Sequence, residues 1–138
     1  MKIRSLAGAT AGAVVLAWVS MAGAADVAVS LTGDQEVPAV TTQAKGTGNI
    51  TIADDKSVSG SVKTTGVAGT MAHIHLAPAD KNGPVIIPLE KKGDDEWAVP
   101  AGAKLTDDQY AAFKAGNLYV NVHSAEHKGG EIRNQLKP

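Results

Sequence analysis

The stretch TGNITIADDKSVSGSVKTTGV, residues 47–67, decides the fold class. Its two arms, Thr47 to Ala53 and Val58 to Val67, alternate apolar with polar residues, the period of a strand. Between them Asp54-Asp55-Lys56-Ser57 has turn chemistry, so the stretch reads as a β-hairpin. Gly48 and Gly60 fall within the arms and Gly46 just before them, where glycine marks bulges rather than a phosphate-cradling loop.

The same pattern extends in both directions. Val27, Val29 and Leu31 alternate with small or polar residues and predict a first strand. Downstream, Met71 to Leu76, Val85 to Leu89, Glu96 to Val99, Leu118 to His123 and Glu131 to Leu136 predict five more. Turn-rich breaks separate them at residues 79–83, 91–95 and around Gly129-Gly130. Short strands at such spacing predict an all-β fold, a sandwich or a barrel.

One helix is expected near residues 106–115. Thr106 is a natural N-cap, and Gln109 three residues on completes a capping box. Asp107 and Asp108 suit the positive end of the helix dipole and Lys114 the negative end. Gly116 suits the left-handed residue past the C-cap. Tyr110 and Phe113 are expected to close one end of the fold.

Upstream of Val27 the chain reads as a cleaved secretory signal. Lys2 and Arg4 precede an uncharged run from Leu6 to Met21, which closes on Ala22-Gly23-Ala24, a small-x-small cleavage pattern. Cleavage after Ala24 leaves residues 25–138 as a single domain, expected to be periplasmic or secreted without membrane insertion. Of 13 basic residues two leave with the signal, so 11 remain against 14 acidic ones, a net charge of −3. That balance argues against a nucleic-acid partner, which a concentrated basic face would meet. The chain has no cysteine, which excludes disulfides, thiolate metal sites and thiol catalysis.

The four histidines fall in two clusters. In Met71-Ala72-His73-Ile74-His75-Leu76 two imidazoles lie two residues apart on one strand, so both point to the same face. In Tyr119-Val120-Asn121-Val122-His123, Val120 and Val122 read as core, which turns Tyr119, Asn121 and His123 outward. His127 lies in the loop beyond and can fold back towards its own strand end. If the strands meet, His73, His75, His123 and His127 form an all-nitrogen metal site suited to copper(II) or zinc. Asn121, on the His123 face, is placed to fix an imidazole tautomer. Glu131 and Arg133 share a strand face and are expected to form a structural ion pair. Glu36 is expected to hydrogen-bond backbone in its own turn.

Five ordered motifs from Leu31 to Leu136 resemble the CHRD domain, a module named for chordin and common in secreted bacterial proteins. They are Leu31-Thr32-Gly33-Asp34-Gln35-Glu36-Val37-Pro38, Ala72-His73-Ile74-His75, Asn82-Gly83-Pro84-Val85, Leu118-Tyr119-Val120-Asn121-Val122-His123 and Gly130-Glu131-Ile132-Arg133. The resemblance implies an antiparallel β-sandwich, immunoglobulin-like or superoxide-dismutase-like in its Greek key. Its HxH and NVH strands also look like the ligand-bearing strands of copper–zinc superoxide dismutases. The bridging histidine and the aspartate of the zinc half have no counterpart here. His127-Lys128 stands where many members have Asn-Pro, which adds a fourth imidazole, and Asn134 stands where glycine is usual.

Three functions follow as expectations. The first is a periplasmic copper protein that stores, carries or buffers the ion, with zinc as second choice. The second is a copper-dependent oxidoreductase of superoxide-dismutase type, for which Lys128 and Arg133 are the cations closest in sequence. The third is a metal-free interaction module of the chordin type. No Ser/His/Asp spacing or paired carboxylates point to hydrolysis, so a non-enzymatic role is favoured.

Overall fold

The computed structural model describes residues 23–138, together with residues 12 and 13. The signal expected over residues 1–24 therefore lies almost wholly outside the described residues. Nine strands form two antiparallel sheets packed as a sandwich. They are β1 (Ala25–Leu31), β2 (Lys45–Ile52), β3 (Val58–Thr65), β4 (Gly69–Leu76), β5 (Val85–Pro88), β6 (Glu90–Lys91), β7 (Glu96–Ala98), β8 (Leu118–Ser124) and β9 (Ile132–Leu136). The first sheet has the order β1-β2-β3-β7-β6 and the second β5-β4-β8-β9.

The hairpin of residues 47–67 forms as read, with Ile52 opposite Val58. Its turn is closed by Asp55, whose carboxylate accepts from the Ser57 backbone at 3.0 Å and from its hydroxyl. The strand expected over Val85 to Leu89 forms as β5 and ends at Pro88, and the chain then crosses at Leu89 to add β6 to the first sheet. Leu89 is buried there and its N–H donates to the Ala72 carbonyl at 2.9 Å.

Apolar faces of both sheets meet in one core. Val27, Val29, Leu31, Ile50, Ile52 and Val62 come from the first sheet; Ile74, Leu118, Val120, Val122, Ile132 and Leu136 come from the second. The helix α1 (Asp107–Lys114) packs Phe113 into this core with Tyr110 beside it, and its Thr106–Gln109 capping box is complete in both directions. Asn134 has a structural role. Its amide accepts from the Ser30 N–H at 3.2 Å and donates to Gln35 at 2.8 Å, which ties β9 to β1 across the sandwich edge. Among the described residues no helix is long and apolar enough to cross a membrane.

A second buried layer determines the functional reading. The outward face of β4, β8 and β9 is not solvated; Tyr119, Asn121, His123, His75 and Arg133 are all buried on it. Three connecting segments roof this face: residues 32–44, 77–84 and 125–131. Asn82 joins two of them, donating to the Val37 carbonyl at 2.6 Å. Arg133, 1 % exposed, supports the roof from beneath. Its guanidinium donates to Asn82 Oδ1 and to the carbonyls of Pro78 and Lys81, and stacks 3.4 Å from the centre of the Tyr119 ring.

The expected pairing of Glu131 with Arg133 is therefore corrected. Among the described residues, ion pairs join Lys56 to Asp107 and Lys92 to Glu90, and none joins Glu131 to Arg133. Glu131 instead accepts from Thr42 and Ser124 hydroxyls, each at 2.8 Å. Each charge is satisfied by neutral groups of the roof, so neither needs the other.

Candidate metal centre

Strand pairing brings the two histidine clusters together. β4 lies beside β8 with Met71 opposite His123, His73 opposite Asn121 and His75 opposite Tyr119. Because side chains alternate along a strand, His73, His75 and His123 share the roofed face. Their ligand nitrogens lie within 4.8 Å of one another. His73 Nδ1 is 3.0 Å from His123 Nε2. Two nitrogens bound to one ion at about 2.0–2.1 Å, subtending about 90–110°, lie about 2.9–3.4 Å apart. This pair already has the spacing of two ligands on one ion.

The ring tautomers are fixed by carbonyls, which only accept. His75 Nδ1 donates to Gly83 O at 2.9 Å, and His123 Nδ1 donates to Lys128 O at 2.8 Å. In each ring, when neutral, Nε2 then carries a lone pair, and that of His123 faces His73 Nδ1. His75 Nε2 is buried with no hydrogen-bond partner, and so is Asn121 Oδ1. Asn121 Oδ1, which only accepts, can bond that nitrogen only when the ring carries a second proton. A cation at Nε2 takes that proton's place, so the orphaned lone pair fits a metal ion. The tautomers are set by Gly83 and Lys128, not by Asn121 as expected.

Burial disfavours the charged form of the His73 and His75 rings. Burial holds the His73 imidazole down at about 4, with the neighbouring His123 and His75 adding to the effect. Burial also lowers His75, helped by His123 and Arg133 and opposed by the bonds to Gly83 and Asn121. The Tyr119 ring stacks on His75 at 4.7 Å between centroids, almost parallel, and fixes the plane of that imidazole. Glu36 is buried against Asn121 Nδ2 at 3.4 Å rather than bonded within its turn. Burial pushes its carboxyl up to about 7. Gly130 makes this approach possible, because a Cβ there would collide with both Asn121 Nδ2 and Glu36 Oε1.

The depressed His73 value has a direct consequence. In the metal-free domain its ring is expected to take up a proton only near pH 4, readable from ring chemical shifts. A midpoint near 6.5 would contradict the buried environment. The unfolded chain binds this proton first, so stability is lost as pH falls from about 6.5 to 4. Wild type should therefore lose stability relative to His73→Asn across that window.

His127 stands outside the trio. The site brought together by the fold has three imidazoles, not the four expected. The His127 backbone is held by Ser124 and Gly130, its carbonyl accepting from both N–H groups and its N–H donating to Ser124 Oγ. The residue lines a cleft together with Glu36, Val40, Asn82 and Gly130. Strand period says nothing about direction in such a loop. The Gly83 carbonyl and the Tyr119 ring were not foreseen as parts of the site, and Lys128 and Arg133 were read only as cations near it. The signal available for them was an unusual density of polar residues on one strand face.

The family of CHRD domains matches residues 27–136, from within β1 to the last residue of β9. The chain belongs to the CHRD family. The matched unit is the sandwich itself, with the three clustered histidines inside it. Neither the curated proteins nor the solved structures contain a match to this CHRD domain. Its chemistry must be argued from its own residues.

Proposed function

We propose that this CHRD domain is an exported copper-binding protein that stores, carries or buffers the ion outside the cytoplasm. The observation that carries the reading is the convergence of three imidazoles, one with a buried and unpartnered nitrogen. Imidazole nitrogen favours copper(II) over zinc in the order of divalent affinities, which supports copper first and zinc second. Residues 25–138 form the mature domain in this reading, released by cleavage after Ala24. Residue 127 can join the ligand set only if its loop turns, so His73, His75 and His123 form the working set.

The oxidoreductase alternative asks for a cation beside the ion to draw in an anionic substrate. Arg133 is spent on three roof acceptors and a tyrosine ring, while Lys128 remains exposed. A binding role fits that arrangement better. Titration of the mature domain with copper(II) in competition with zinc tests the reading. One tightly held equivalent of copper per chain, displacing zinc, is expected. Absence of saturable binding by either metal would contradict it.

A further inference from the structure

Met71 is one of two large apolar side chains the domain exposes, 50 % accessible on β4. A surface strand position two residues before His73 does not call for methionine on packing grounds. Its place in the register is informative. Met71 lies directly opposite His123 and, by strand alternation, on the face that carries all three imidazoles. Opposed residues in an antiparallel pair have Cβ atoms about 4.5–5.5 Å apart, within the reach of a flexible thioether. The imidazole set is also incomplete. His73 is only part-buried, so the trio is open on the side of the sheet where Met71 stands.

We propose that Met71 supplies a sulfur ligand that completes the three-imidazole site and makes it hold copper(I) as well as copper(II). The inference rests on the copper reading above and deepens it. Imidazole nitrogen suits both oxidation states, whereas a thioether is a soft ligand that selects copper(I). A site with three nitrogens and one sulfur can keep the ion through a change of oxidation state. No carboxylate belongs to the cluster, so nothing in the set favours harder cations. Exposure of the thioether gives the incoming ion its first contact at the rim, with the buried Nε2 atoms behind it.

Met71→Leu tests this, since leucine nearly preserves the volume and the position is exposed. Copper(I) affinity is measured anaerobically against a chromophoric chelator, and copper(II) and zinc affinities by separate competition. The variant is expected to lose about tenfold or more in copper(I) affinity while copper(II) and zinc change by less than about threefold. Unchanged copper(I) affinity, or equal losses for all three ions, would overturn the sulfur ligand. In either case the imidazole site would stand. Failure of the wild-type domain to bind any of the three ions would instead remove the site itself.

Discussion

Replacing His123 by alanine is expected to lower copper(II) affinity by more than about 100-fold, above the 10–100-fold typical of losing an outer hydrogen-bond partner. This imidazole is the centre of the cluster. It lies 3.0 Å from His73 Nδ1 and is the ring that β8 contributes to the two on β4. Without it the His73 and His75 rings remain, 5.4 Å apart and edge to face, as a two-ligand site. Competition against a chelator of known affinity measures the loss. A change below about tenfold would mean that His123 is a packing residue. The truncation also frees the Lys128 carbonyl, so His123→Gln, which keeps most of the bulk, serves as a second variant.

The largest effect on stability is expected from Arg133→Ala, a loss of about 3–4 kcal/mol. Its guanidinium makes three charge-assisted hydrogen bonds to the segment of residues 78–82 and covers the Tyr119 ring. Alanine would leave two carbonyls and an amide oxygen facing a space too apolar to solvate them. In a domain of this size the change lowers the thermal midpoint by roughly 10–20 °C. Arg133→Lys should fall between, because an ammonium cannot present the planar fork. Loss of copper affinity should accompany it, since Tyr119 orients His75 and β9 holds Tyr119 from the other side. A midpoint within about 2 °C of wild type would show that the roof stands without this residue.

Much of the fold was legible because it depends on local periods. The hairpin of residues 47–67, the Thr106 cap and the core face of Leu118 to His123 are each fixed by neighbours in sequence. The same holds for the shared face of His73 and His75. The approach of His123 was not local, because the 50 residues separating it from His73 include a change of sheet. Only the family motifs suggested that meeting. The roof was illegible for a different reason. Segments 32–44 and 77–84 carry no period, and their place is set by side chains such as Arg133 and Asn82 reaching across the sheet. Glu36 read as a turn residue and Glu131 with Arg133 as an ion pair, and all three belong to a buried polar layer. His127 stands apart from the trio, since a loop residue four positions from a strand histidine has no direction fixed by strand period.

Pulsed electron paramagnetic resonance of the copper(II)-loaded domain bears most directly on the convergence of His73, His75 and His123. Their nitrogen couplings report how many imidazoles are bound to the ion. Three equivalents are predicted in the wild-type domain, falling to two in His123→Gln. A spectrum with one imidazole or none, or one indifferent to the loss of His123, would contradict the account.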